Sequence, residues 1–282
     1  VSAEAVEFSA RDGYRLAGML FRPSAPNARS VVINAAAGVK QEYYGKFAGY
    51  LAERGFTALT YDYRGIGGSR REPPRALRSG MGDWGRLDAA SALDFIEHAA
   101  PGARLAAVGH SFGGQAIGII PGNERITALL TVGSQSGYWR HWSGASRAGM
   151  WLFSHVLVPG TVALLGRLPA AAVGQGEDLP GEVAREWASW CRRPGYIVEA
   201  LAAHEHYARF SAPLRACWIE DDAYAPLAAV EAFLAQYPGA QREMKRISPQ
   251  EVGAERIGHF GFFRERFRDT LWQETAEWLG AH

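Results

Sequence analysis

Four short and almost wholly apolar runs, Ser30–Asn34 (SVVIN), Phe56–Tyr61 (FTALTY), Leu105–Val108 and Ile126–Val132 (ITALLTV), alternate with helical patterns. A strand that is apolar on both faces has to be covered on both faces, and parallel neighbours need a crossover, usually a helix. The intervening segments meet that need. Tyr43–Arg54 reads as a helix closed by Gly55, and Asp83–Ala99 carries Trp84, Leu87, Ala90, Leu93 and Ile96 at helical spacing. The pattern predicts an α/β fold, a mostly parallel central sheet with helices on both faces. Ahead of it, Val6 and Phe8 alternate, Asp12–Gly13 makes a turn, and Tyr14 to Phe21 returns before Pro23, which reads as a hairpin.

From Gln135 to about Tyr207 the alternation fails, and this stretch holds five of the nine tryptophans: Trp139, Trp142, Trp151, Trp187 and Trp190. It resumes with a strand at Leu214–Ile219, a helix over Leu227–Tyr237, a strand near Arg242–Ile247 and an amphipathic helix from Phe263 to Leu279. The expected organisation is a core of residues 1–135 and 208–282, interrupted by a largely helical lid at 136–207. Between Arg147 and Arg167 no residue is charged, close to a bilayer span in length. Ser154, His155 and a central Pro159–Gly160 interrupt it, so a break in the helix and no membrane span are expected.

Composition narrows the partners. Lys plus Arg (30) against Asp plus Glu (29) leaves +1, which predicts no nucleic-acid partner. Hydrophobic residues at 48% exclude a disordered chain. Cys191 and Cys217 are too few for a disulfide framework or a cysteine-built zinc site, which points to a reducing, cytoplasmic setting. Val1–Phe8 has no apolar run and does not read as a signal peptide.

The chemistry centres on Gly109-His110-Ser111-Phe112-Gly113, a GxSxG pentapeptide followed by Gly114. Composition alone would supply about 0.2 such pentapeptides, so context carries the signal: an apolar strand precedes it and a helix-like run follows. A serine on so tight a turn is lifted clear of the sheet, and small residues two before and two after let strand and helix approach.

The GHSFGG elbow, the segment Asp62-Tyr-Arg-Gly-Ile-Gly-Gly-Ser69 and the strand order together resemble the α/β-hydrolase family, its bacterial esterase, lysophospholipase and peptidase-like members in particular. The resemblance implies the chain order nucleophile, acid, histidine, with Ser111 as the nucleophile. The strand end TVGSQSG before the lid offers no carboxylate, whereas Cys217-Trp-Ile-Glu-Asp-Asp222-Ala-Tyr-Ala-Pro226 after it offers three. The family's acid commonly lies four residues before a proline, which selects Asp222 and leaves Asp221 as the alternative. Of the two histidines that follow, His282 is terminal in this sequence and His259 sits in a loop before the final helix, where the family carries its base. The family's oxyanion hole implies the backbone N–H of Phe112 and one from Asn34-Ala-Ala-Ala-Gly38. Ala37 is the choice and Ala36 the neighbouring alternative, because the usual His-Gly is missing here.

The expected function is a serine hydrolase acting on a small-molecule carboxylic ester, thioester or amide, with no metal and no cofactor. An acyltransferase using the same triad, or a non-catalytic ligand-binding relative, are the alternatives. Trp139, Trp142 and Trp151 are expected to line an apolar acyl or aryl pocket over Ser111. A homo-oligomer is compatible with all of this. His204-Glu-His206 lacks a zinc-binding spacing, and Arg70 and Arg71 read as solvated.

Overall fold

The computed structural model describes residues 1–174 and 176–282. One eight-stranded sheet organises the chain. Its strands are β1 (Ser2–Ser9), β2 (Arg15–Arg22), β3 (Arg29–Asn34), β4 (Phe56–Tyr61), β5 (Arg104–His110) and β6 (Ala128–Val132), followed after a long interruption by two more. Within the interruption β7 (Arg167–Leu168) and β8 (Leu179–Pro180) form a separate small ribbon. The sheet is then completed by β9 (Pro213–Ile219) and β10 (Gln241–Ile247).

The order across the sheet is β1-β2-β4-β3-β5-β6-β9-β10. β2 pairs antiparallel with both neighbours, and every other pairing is parallel. Burial follows the sequence: β4 and β6 are buried at every residue, as the apolar runs require when both faces are covered. The edge strand β10 is exposed over most of its length and carries charged residues, which discourages pairing with another chain.

Chain direction reverses its lateral course between β3 and β5. β4 is laid on one side of β3 and β5 on the other, so the C-terminal ends of β3 and β5 open a crevice at the switch point. Register makes this specific: Asn34 pairs with Gly109, and His110 with Val132. The loops after β3, β5 and β6 therefore leave the sheet side by side.

Two expectations about helices need correction. The helix Gly144–Leu165 runs straight through Pro159. Proline lacks an N–H and crowds the carbonyl four residues back, but a π-helical turn over Phe153–Leu157 just ahead of it re-spaces the carbonyl row. The last helix does not start at Phe263: Arg264 adopts extended backbone (φ −82°, ψ 139°), and the helical run begins beyond it and ends as the α-helix Gln273–Ala281. Beyond the β7–β8 ribbon the interruption continues with the helices Gly181–Cys191, Tyr196–Ala200 and His204–Arg209.

Candidate active site

Ser111 is the single residue between β5 and the helix Phe112–Ala116, and it sits at φ 52°, ψ −118°. That backbone is costly for a residue with a Cβ and persists only where its surroundings force it. Here they do. The Ser111 N–H donates to the Val132 carbonyl at 2.9 Å, and Ser134 Oγ donates to the Ser111 carbonyl at 2.8 Å. The flanking glycines are steric necessities. A Cβ at Gly109 would lie 2.3 Å from Gly114 Cα, and one at Gly113 would lie 2.1 Å from the Asn34 carbonyl oxygen.

Asp222 and His259 meet at the end of β9. His259 Nδ1 lies 2.7 Å from Asp222 Oδ2, and both side chains are buried. The other carboxylate oxygen accepts the N–H groups of Tyr224 (2.8 Å) and Ala225 (3.2 Å). With both oxygens accepting, the imidazole donates through Nδ1. Space here is tight: a Cβ on Gly133 (φ +58°) would stand 2.9 Å from Asp222 Oδ2 and 3.1 Å from His259 Nδ1. The neighbouring carboxylates have other partners. Asp221 accepts the N–H groups of Ile257 and Gly258, both at 3.0 Å, and Glu220 pairs with Arg246 at 2.7 Å.

Ser111, His259, Ala37 and Phe112 border one cavity of about 530 Å³. Ser111 Oγ makes no side-chain hydrogen bond among the described residues. Contacts of this kind often tighten only with substrate in place. Of the two alanines that the sequence left open, Ala36 donates its N–H to Tyr44 Oη at 2.9 Å, while Ala37 has no N–H acceptor among the described residues. Phe112 opens a helix, where the first N–H groups lack partners by construction.

A buried histidine ties these loops together. His110 Nε2 is 2.9 Å from the His259 carbonyl oxygen, which can only accept, so the proton is on Nε2. Nδ1 then accepts from Tyr44 O–H at 2.8 Å, and Tyr44 Oη in turn accepts from Ala36. Burial, and after it the nearby His259, depress the basicity of His110 well below the usual histidine value, so the ring is neutral. Tyr43, next in the chain, donates its hydroxyl to the Phe260 carbonyl.

The tryptophans divide differently from expectation. Trp142 borders the cavity, whereas Trp139 and Trp151 do not; Trp187, further along the chain, does. Trp151 stacks on His155 at 4.8 Å and is 43% exposed, and Trp139 packs against Tyr138 and His155. Trp151 is turned outward on its helix and Trp139, half-buried, sits on a separate short turn, which tryptophan clustering alone does not reveal. The polar wall is closed on itself. Trp187 Nε1–H donates to Tyr196 Oη, Tyr196 O–H to Gln115 Oε1, and Gln115 Nε2–H to Gln135 Oε1, at 3.0, 3.0 and 3.2 Å. No Asp, Glu, Lys or Arg lines the cavity among the described residues. Cys191 does, but burial pushes its thiol up to about 12, so it stays protonated.

Other residues singled out by sequence are structural here. Asp62 accepts the N–H groups of Gln41 and Gly68, Arg64 pairs with Asp88 and Asp12, Arg70 pairs with Glu177, and Arg71 pairs with Glu7. His204 and His206 are exposed, and no group able to hold a metal occurs among the described residues. Tyr44, Gln115, Tyr196 and the role of His110 escaped the sequence reading. Only the position of His110 inside the pentapeptide hinted at it.

Comparison with known proteins bears on the family and the fold. Residues 31–270 match the sequence profile of the Alpha/beta hydrolase family. The chain is 30% identical over 170 residues to the uncharacterized protein YfhR of Escherichia coli O157:H7, covering 58% of this chain and 54% of that one. It is 35% identical over 146 residues to YfhR of Escherichia coli strain K12, covering 49% of each. The chain thus spans about half the length of the curated relatives it matches. Among solved structures, an esterase domain from Rhodothermus marinus superposes with a TM-score of 0.61 at 16% identity, covering 100% of this chain and 97% of that one. Est1E of Butyrivibrio proteoclasticus, bound to ferulic acid, superposes at 0.64 with 17% identity, covering 98% of each. At such identities the likeness is one of fold.

Proposed function

The chain belongs to the alpha/beta hydrolase family, and on that premise we propose that it is a serine hydrolase that cleaves a carboxylic ester through an acyl-enzyme on Ser111. Thioesters and amides are open to the same chemistry. A serine hydroxyl is a weak nucleophile, so His259 Nε2 takes its proton during attack and returns it to the leaving group. Asp222 holds the ring with Nδ1 protonated and stabilises the imidazolium. The N–H groups of Phe112 and Ala37 receive the negative charge on the carbonyl oxygen, each worth roughly 10²–10³ in turnover. Water then attacks the acyl-enzyme with His259 again as base.

The observation that carries this reading is the 2.7 Å contact between His259 Nδ1 and Asp222 Oδ2 on the cavity that Ser111 also borders. The uncharged wall favours apolar acyl or aryl groups over anionic ones, since no Lys or Arg lines it among the described residues to replace lost hydration. The ferulic acid held by the Est1E neighbour is in keeping with an aryl group.

Hydrolysis of p-nitrophenyl esters over an acyl-length series, with fluorophosphonate labelling beside it, tests the proposal. Wild type should turn over and label, and Ser111→Ala should fold and do neither. Unchanged labelling of the variant would remove Ser111 from the role. Product analysis with an added alcohol separates hydrolysis from acyl transfer.

A further inference from the structure

Exposed apolar side chains are concentrated on one helix. Of the ten large hydrophobics exposed among the described residues, six belong to Gly144–Leu165: Trp151, Leu152, Val156, Leu157, Leu164 and Leu165. Leu164 is 86% exposed. By length and composition the helix could cross a bilayer, yet only 17% of its most apolar window is buried inside the protein. A soluble surface rarely carries so continuous an apolar face without a partner.

The other side of the same helix is committed. Met150 and Phe153 wall the cavity beside Ser111, Val158 and Val162 are buried, and Leu157, itself half exposed, borders both the cavity and the outer face. A membrane span would pull those residues away from the site. A helix lying flat on an interface would leave them in place.

Charge indicates which interface. No Asp or Glu occurs anywhere from Arg125 to Gly176. Arg140 and Arg147 stand at the N-terminal end of the helix, and Arg75 lies against Gly166 at the C-terminal end. None of the three has a carboxylate partner among the described residues, whereas Arg167 is paired with Asp178. An apolar face with arginines at both ends suits a layer of anionic headgroups over hydrocarbon. It suits a second copy of itself poorly, because a two-fold contact would bring arginines against arginines.

We propose that the outer face of Gly144–Leu165 docks on an anionic lipid surface, with the helix in the plane of the interface. The inner face then forms the cavity wall directly beneath the lipid, so an apolar substrate passes from the membrane to Ser111 without crossing water. The docking itself does not depend on the reaction at Ser111.

Co-sedimentation with phosphatidylcholine vesicles, with and without phosphatidylglycerol, tests the docking without any reference to hydrolysis. Wild type should sediment with the phosphatidylglycerol vesicles, and more weakly as salt rises. Leu152→Glu/Leu164→Glu, at two exposed positions outside the cavity wall, should keep the wild-type circular dichroism and lose partitioning by roughly tenfold or more. Wild type left in the supernatant with both vesicle types would overturn the proposal, as would equal binding by the variant. A wild-type dimer that the variant converts to monomer, without vesicle binding, would reassign the face to a second copy. Protein released from vesicles only by detergent would point to a span instead.

Discussion

Asp221 and Asp222 are adjacent in the chain, yet their carboxylates hold the two halves of one contact: Asp222 bonds the His259 ring, and Asp221 bonds the backbone N–H groups of Ile257 and Gly258 that deliver it. Substitution should separate the roles. Asp222→Asn should lower kcat/KM by about 10⁴ with little change in melting, since the amide favours the wrong tautomer. Asp221→Asn keeps one acceptor oxygen and should cost about 1 kcal/mol of stability and far less activity. Ester kinetics beside thermal melts check both, and a larger activity loss at Asp221 would reverse the assignment.

Tyr44→Phe removes one hydroxyl and orphans two buried groups, the Ala36 N–H and His110 Nδ1. Each unpaired group costs about 1–3 kcal/mol. The freed Ala36 N–H should also loosen the loop carrying Ala37, so kcat should fall more than KM changes. Chemical denaturation and ester kinetics on the same preparation measure the two effects.

Burial makes His110 resist protonation in the fold, below its ordinary value of 6.5. The unfolded chain takes up that proton near the ordinary value, so below it the unfolded state binds more protons than the native one. The stability contributed by a neutral His110 is therefore complete above about pH 6.5 and is lost as pH falls, by at most about 1.4 kcal/mol per pH unit. Denaturant midpoints measured across that range should show the slope, and His110→Gln should flatten it.

Cavity position predicts which aromatic rings set selectivity. Trp142→Ala, Phe153→Ala and Trp187→Ala enlarge the wall and should move the optimum along an acyl-length series, whereas Trp139→Ala and Trp151→Ala should leave it in place. An acyl-length profile for each variant decides.

Local patterns carried the α/β fold class and the turn at Ser111, because apolar runs and a glycine-flanked serine are each encoded within a few residues. What depends on distant packing was not legible. Pro159 read as a break, since the π turn that absorbs it appears only in the folded helix. Tyr44 and His110 are 66 residues apart and meet only through the register of β3 with β5. Trp139 and Trp151 looked like pocket rings because clustering says nothing of which face each one takes.

β9 enters the sheet beside β6 but is synthesised only after residues 133–212. A nascent chain that has reached β6 carries Ser111 but neither Asp222 nor His259, nor yet the Ser134 hydroxyl that helps hold the Ser111 turn. By the mechanism proposed above, such a chain hydrolyses nothing. It also presents β6, buried at every residue in the finished protein, as an open apolar edge. For as long as the ribosome is translating the intervening segment, that edge invites pairing with other chains. On that mechanism, the interruption in the sheet sets a period during synthesis in which the chain is inactive and its open β6 edge invites aggregation, a window for chaperones to cover.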